Sequence, residues 1–186
     1  MILQQLKIES FRGMSGVSLD HLAPVTLVVG ANNAGKSSVL EAASLVLRPF
    51  DPVQWVQVAR QRDLDMESFH GLWSLFPSSV PLQVDDAPKQ TNSLIVEGQI
   101  GGVSRRLTVT AFASFHWDAE AVRHLNLLLS AWVEVGGNLT FKHEMEFGRE
   151  ASAQRESRIE SFRCVTVTPR NAPFNQATCR ASQQGG

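Results

Sequence analysis

Tyrosine is absent from this sequence, cysteine occurs only twice, and the charges of the two signs nearly cancel. Cys164 and Cys179 are too few for a disulfide framework and lack the spacing of a metal site, so we expect reduced thiols in a cytosolic protein. A formal net charge of −1 argues against a chain that binds nucleic acid through its overall charge.

Long apolar runs are also missing. No stretch reaches the roughly 18 apolar residues that a membrane-spanning helix needs, and the N-terminus lacks the basic-then-apolar pattern of a signal peptide. We therefore expect a cytoplasmic protein with no membrane partner. Hydrophobic residues still make up 43% of the chain, enough for a core, and the length favours one compact domain with at most a small appendage.

The most specific local feature is the segment Gly30-Ala31-Asn32-Asn33-Ala34-Gly35-Lys36-Ser37, which matches the phosphate-binding P-loop pattern G-x-x-x-x-G-K-[ST]. Before it, the β-branched apolar residues 25–29 predict a buried strand. After it, residues 38–47 predict a helix that Pro49 and Pro52 bring to an end. Strand, glycine loop and helix in this order favour a phosphate site over the alternative, an ordinary glycine turn before a helix.

The chemistry of such a loop is anion binding. Its backbone N–H groups turn inward, and the helix that follows adds its N-terminal N–H groups and its dipole. Lys36 would supply a mobile positive charge to the β- and γ-phosphates, and the Ser37 hydroxyl would ligate Mg²⁺. We therefore predict that the loop binds a nucleoside triphosphate together with magnesium.

The rest of the sequence predicts mostly strands. Residues 2–11 alternate as a half-buried strand, and residues 17–19 form a second one. Two hairpins are predicted at 94–112 and 131–147, each around a Gly-Gly pair that suits a two-residue turn. The remaining predictions are one or two short helices within 53–76, a surface loop at 77–92, a short helix or irregular segment at 119–129, a strand at 162–168 and a mobile tail from 172.

Two segments near the N-terminus form a more specific pattern: Leu6-Lys7-Ile8-Glu9-Ser10-Phe11-Arg12-Gly13 and, after a spacer, Val28-Val29-Gly30-Ala31-Asn32-Asn33-Ala34-Gly35-Lys36-Ser37-Ser38-Val39-Leu40-Glu41-Ala42. This pattern resembles the start of an ABC-type ATPase head, and the closest branch is the SMC/RecF/OLD group. The likeness is sharp over residues 1–47 and softer over 93–170. It implies an α/β fold with a P-loop NTPase lobe and an antiparallel β-subdomain (about 93–168) in a domain of residues 1–170, followed by a flexible tail, 171–186.

The resemblance also implies a site for ATP and Mg²⁺. The residues that would hold the triphosphate and the ion are Gly30, Asn33, Ala34, Gly35, Lys36, Ser37 and Ser38, with Lys36 as the catalytic cation. Arg12 matches a basic position beside the nucleotide; the competing interpretation is a solvated arginine at a strand end. Glu41 matches the Leu-Glu-Ala of the group and would pack or cap. A magnesium-sensing glutamine is implied at Gln176, with Gln54, Gln57 and Gln61 as competitors.

Three parts of such a head are absent from this sequence: a Leu-Ser-Gly-Gly signature, an apolar strand that ends in Asp-Glu, and a late switch histidine. The chain therefore resembles the N-terminal half of a head, whose ATP hydrolysis a missing segment or a partner chain would complete. In the group, two heads sandwich ATP and serve DNA repair, chromosome handling or anti-phage defence, often with a nuclease. The resemblance implies a homo- or hetero-oligomer with DNA or a nuclease as partner. A nucleotide-binding scaffold without hydrolysis remains the alternative, and a small kinase or GTPase is disfavoured because Asn-Lys-x-Asp is missing.

Other clusters have structural interpretations. His143 and Glu144 would face opposite sides of a strand, at solvated positions. The tryptophans at 55, 73, 117 and 132 are expected to anchor a core or an interface. Arg105 and Arg106 are expected at a solvated edge, with contact to DNA phosphate as the alternative.

Overall fold

One antiparallel sheet of seven strands organises the residues that the computed structural model describes, which are 2–60, 69–77, 89–117, 123–151 and 161–167. Its strands are β1 (Leu3–Phe11), β2 (Met14–Leu19), β3 (Lys89–Ile100), β4 (Val103–Trp117), β5 (Arg123–Val135), β6 (Asn138–Ala151) and β7 (Ser161–Val167). Their order across the sheet is β2-β1-β3-β4-β5-β6-β7, and neighbouring strands are antiparallel throughout. The described helices are α1 (Lys36–Leu47), α2 (Pro52–Arg60) and α3 (Phe69–Trp73).

The fold is therefore mixed α/β with an antiparallel sheet, as predicted, but the sheet is larger than the predicted subdomain. Strand β1 pairs with β3, with Ile8 opposite Val96, so the two N-terminal strands continue the sheet of the C-terminal hairpins. The phosphate-binding loop and the three described helices are inserted between β2 and β3 in the chain. None of the described helices is long and apolar enough to cross a membrane.

One face of the sheet carries the core. In β1 the inward side chains are Leu6, Ile8 and Phe11, each at most 1% exposed. They belong to one buried cluster with Leu45 and Val46 of α1. Because side chains alternate between the two faces of a strand, the apolar positions of each strand fix which face the helices cover.

The opposite face carries charged side chains. Lys7 Nζ lies 3.0 Å from Glu9 Oε1 and 3.6 Å from Glu97 Oε2. Arg106 pairs with both carboxylates, at 2.8 Å from Glu9 Oε2. The pKa of Glu9 is lowered from its ordinary value, first by the hydrogen bond from Lys7 and further by Arg106, against an opposing effect of burial.

The two predicted hairpins are confirmed with their turns. Gly101 and Gly102 have φ values of 58° and 79° and join Ile100 to Val103, which face each other across the pair. A Gly-Gly pair of the same kind joins β5 to β6. Two consecutive residues at positive φ match the right-handed twist of the strands, and glycine adopts them without steric cost.

The helix after the loop is also confirmed. Helix α1 ends at Leu47, the Arg48 N–H donates to Ser44 O at 3.0 Å, and Pro49 follows. Pro52 opens α2, where a missing N–H costs nothing. Asp51 Oδ1 accepts from the Val53 N–H at 3.0 Å and caps that helix. The short helices predicted within 53–76 are therefore present as α2 and α3.

The predicted buried strand at 25–29 is wrong in this structure. These residues form no strand, and Val25, Leu27 and Val29 are 89%, 83% and 76% exposed. Within the described ranges, no strand pairs with the segment. Apolar residues on both faces suit a strand inside a parallel sheet, and the sheet described here offers only antiparallel neighbours.

Two other local predictions fail. Residues 123–129 belong to β5 rather than to a helix or an irregular segment, because Leu127, Leu129, Ala131 and Val133 alternate as its inward side chains. Residues 89–92 of the predicted 77–92 loop begin β3. The predicted strand at 162–168 is confirmed as β7, while the tail from 171 lies outside the described residues.

Candidate phosphate-binding site

The glycine loop turns directly into α1. Gly35 has φ 83° and forms the N-cap of the helix, and Asn33 has φ 63°. A Cβ on Gly35 would lie 3.2 Å from Met14 Sδ, so an alanine there would need Met14 to shift and a left-handed backbone that glycine adopts without strain. The loop is thereby held against the turn between β1 and β2.

Lys36 folds back over the loop. Its Nζ donates to Gly30 O at 2.8 Å and to Ala31 O at 2.6 Å. These two carbonyl oxygens stabilise the ammonium by hydrogen bonding, but they carry no net charge. A phosphate oxygen offers a full negative charge at the same distance and is therefore the stronger acceptor for this lysine.

An open cavity of about 790 Å³ lies beside the loop. Its walls are residues 33–35, the first residues of α1 and the β1–β2 turn at 12–14. The first N–H groups of a helix have no acceptor within the helix, and the positive end of its dipole points the same way. The cavity is thus lined by hydrogen-bond donors, and no carboxylate lines it among the described residues.

The two serines of α1 differ in exposure. Ser37 is exposed at the start of the helix, and Ser38 is 3% exposed. Ser37 is therefore accessible to an ion at the cavity, and Ser38 packs within the fold. Among the described residues no group of three His, Cys, Asp or Glu side chains forms a metal site, so a magnesium ion here would depend on Ser37 and on phosphate oxygens.

Arg12 lines the cavity, but its guanidinium points into a buried ion pair. Arg12 Nε lies 2.8 Å from Glu41 Oε2, and the two side chains are 9% and 2% exposed. Arg12 Nη2 donates to Val58 O at 3.1 Å, and Nη1 donates to Ser74 Oγ at 3.2 Å. The interpretation of Arg12 as a solvated arginine is wrong, and its contact with nucleotide stays a prediction.

Of the four glutamine candidates, the structure describes two, Gln54 and Gln57. Gln176 and Gln61 lie outside the described residues. Gln54 Nε2 donates to Ser44 Oγ at 3.1 Å between α2 and α1, and Gln57 lies on α2. Neither Gln54 nor Gln57 lines the cavity. The magnesium-sensing role of Gln176 stays a prediction, because that residue lies outside the described ones.

The remaining candidate clusters have structural surroundings. His143 is 3% exposed and lies 5.1 Å from the Phe50 ring, so its expected solvated position is wrong, and burial lowers its pKa. Arg105 Nη1 donates to Val46 O at 3.1 Å at the end of α1, and Arg106 pairs with Glu9 and Glu97. Both arginines therefore have partners within the protein, unlike the solvated edge positions that were expected. Trp55 and Trp73 are buried, as expected of core anchors.

Sequence reasoning missed two contacts of the site. It did not place Met14 against Gly35, and it left Glu41 without a partner. Glu41 occupies a helix position that elsewhere would be solvated, and nothing local in the sequence indicates that Arg12 reaches it. In the sequence, Arg12 and Glu41 are linked only because each lies in one of the two segments that resemble ATPase heads.

Comparison with known proteins adds a family match for the N-terminal part of the chain. Residues 1–91 match the family model described as the AAA ATPase domain. An uncharacterized protein of Methanocaldococcus jannaschii is 39% identical over 46 residues, which span 25% of this chain and 21% of that relative. No solved structure matches the chain at a significant level. The match over residues 1–91 supports an AAA/ABC-type P-loop ATPase family for this chain.

Proposed function

We propose that this chain is the ATP-binding lobe of an ABC-type ATPase of the SMC/RecF/OLD kind. The observation that carries the proposal is Lys36, held by two loop carbonyls beside an open cavity at the N-terminus of α1. Triphosphate oxygens would replace the carbonyls as partners of Lys36. The loop and helix residues Gly30, Asn33, Ala34, Gly35 and Ser38 would surround the phosphates, and Ser37 would ligate Mg²⁺.

The segment at 25–29 supports a second part of the proposal, that another segment or a partner chain completes the head. Its apolar side chains Val25, Leu27 and Val29 are exposed, and no described strand pairs with the segment. A parallel strand added there would bury them and would bring the carboxylates that hydrolysis needs. The cavity itself has no carboxylate among the described residues to orient water.

In this proposal ATP controls assembly. Two nucleotide-bound heads, from like or unlike chains, would sandwich ATP, and hydrolysis would release them. By its resemblance to the SMC/RecF/OLD group, such a switch would serve DNA repair or anti-phage defence, with DNA or a nuclease as partner. The AAA ATPase match supports nucleotide binding and the oligomerisation common in that family.

The second candidate is a scaffold that holds ATP without turnover. The absence of a described carboxylate at the cavity favours it over an enzyme that acts alone. The two candidates differ in one observable. Only the ATPase gains turnover when the completing chain is present.

The test is calorimetry of ATP with Mg²⁺ on the wild-type chain, Lys36→Ala and Lys142→Ala, with phosphate release followed in the same samples. Lys142 lies on β6 near Trp132 and Glu144, away from the loop, and serves as the matched control. We expect Lys36→Ala to weaken binding by roughly 10- to 100-fold, because a hydrogen bond to a charged group contributes about 1.5–3 kcal/mol. Equal affinity of wild type and Lys36→Ala overturns the proposal, and steady turnover by the chain alone overturns the completing partner.

A further inference from the structure

We propose that Arg12 and Glu41 are a positioning pair that holds α1 against α2 and α3 and so sets the shape of the phosphate-binding loop. Glu41 does not line the cavity, so the pair acts on the loop through the position of α1. Its effect on ATP rests on the proposed function, while its hold on α1 is a property of the fold and is measurable without ATP.

One arginine connects three helical segments. Its Nε meets Glu41 of α1 at 2.8 Å. Its Nη2 donates to Val58 O of α2 at 3.1 Å, and its Nη1 donates to Ser74 Oγ, just after α3, at 3.2 Å. The Arg12 N–H also donates to Leu75 O at 2.8 Å. These contacts span residues that are far apart in the sequence, so they fix tertiary positions rather than local structure.

Burial makes each partner of this pair depend on the other for compensation of its charge. Glu41 is 2% exposed in its side chain and Arg12 is 9% exposed, so neither charge is well solvated by water. Removal of one partner leaves a buried charge without compensation, and the surrounding segments then shift to admit water. The planar fork of arginine suits several acceptors at once, which an ammonium on a flexible stem does not.

The backbone conformation of Arg12 also supports a positioning role. Its φ is 53°, in the left-handed region that residues with a Cβ avoid. Such a conformation persists where the surrounding contacts over-determine it. Here the side chain and the N–H of the same residue are both engaged by the helical segments.

The pair reaches the loop by two routes. Glu41 lies on the same helix as Lys36, so a shift of α1 moves the lysine and the helix N-terminus together. Met14, two residues after Arg12, packs its Sδ against Gly35. A displacement of the β1–β2 turn therefore moves the cavity residues 12–14 and also the loop at Gly35. Glu41 is too deeply buried to meet a ligand, so any effect of its substitution on ATP must travel through these contacts.

The test compares Glu41→Gln with Glu9→Gln. Both replace a carboxylate by an amide in an arginine pair, and the Glu9–Arg106 pair lies on the opposite face of the sheet. Without nucleotide, we expect Glu41→Gln to speed amide hydrogen exchange about tenfold in peptides that cover α1 and residues 69–77, while the β3–β4 hairpin stays unchanged. With ATP and Mg²⁺, its dissociation constant should rise about tenfold, and Glu9→Gln should stay within about twofold of wild type.

Arg12→Lys provides a second variant that keeps a charge beside Glu41. It should loosen residues 69–77 more than α1, because an ammonium cannot reach Val58 and Ser74 as the fork does. Exchange that accelerates equally across the sheet, or that does not change at α1, overturns the pair as a positioning device. Faster exchange at α1 with unchanged ATP affinity overturns its role in the site. If wild type binds no ATP, the proposed function fails, and the exchange comparison still decides the hold of the pair on α1.

Discussion

The sheet and the glycine loop at residues 30–37 are stabilised in different ways. In the sheet, β3, β4 and β5 each have hydrogen-bonded neighbours on both sides, and their inward side chains form a closed core. The loop is held by a few contacts: Lys36 on its own carbonyls, Met14 on Gly35, and the Arg12–Glu41 pair. The central strands are therefore held by many contacts within the described residues, whereas the loop depends on a few side chains.

The segment at 25–29 shows this difference most clearly. It has the composition of a core strand, but Val25, Leu27 and Val29 are largely exposed. Exposed apolar segments of this kind mark surfaces that another element covers. The same residue types therefore stabilise the sheet, where they are buried, and contribute little to stability in this segment.

The largest expected effect is on stability. Leu94→Ala should lower the free energy of unfolding by about 2–5 kcal/mol, because it opens a cavity in the closed core. The same change at Leu27 should lower it by less than about 0.5 kcal/mol, because that side chain is already in water. Urea denaturation of the two variants measures both. A large loss at Leu27 would mean that the segment packs in solution.

A smaller effect should separate two glycines with similar backbone conformation. Gly35 has φ 83° and Gly102 has φ 79°, so alanine at either position should cost about 1–2 kcal/mol. At Gly35 the new Cβ also meets Met14, whereas at Gly102 it meets open space. We expect Gly35→Ala to weaken ATP binding and Gly102→Ala to leave it unchanged. Similar affinities would show that the loop tolerates a shift of Met14.

The smallest expected effect is a change in pH dependence. Burial lowers the pKa of His143 below its ordinary value of 6.5, so the unfolded chain binds the proton more readily than the folded chain. His143 therefore contributes stability that is fully present above pH 6.5 and is lost as the pH falls through the lowered pKa of the folded state.

His143→Phe should flatten the fall in stability that begins as the pH drops below about 6.5. The variant keeps an aromatic ring beside Phe50 and removes the titrating group. Thermal unfolding at a series of pH values is the measurement. The lowered pKa of Glu9 acts only below its ordinary value of 4.5 and does not interfere. An unchanged slope would assign the pH dependence to other groups.

Much of the local structure is predictable from the sequence. The loop and the helix start depend on residues close in the chain, and so do the Gly-Gly turns and the alternation of the strands. The prediction over 123–129 is wrong because a short apolar run such as Leu127-Leu128-Leu129 fits a helix or a strand equally well. The pairing of β5 with β4 and β6 decides between the two.

The sequence by itself determined that a P-loop segment precedes a helix and that two Gly-Gly hairpins build an antiparallel sheet, because short-range sterics and side-chain period govern both. Only the tertiary structure decided that residues 25–29 stay outside the sheet, since a strand forms where a neighbouring strand accepts its hydrogen bonds. Only the tertiary structure brought Arg12 to Glu41, because a buried ion pair depends on where distant segments meet.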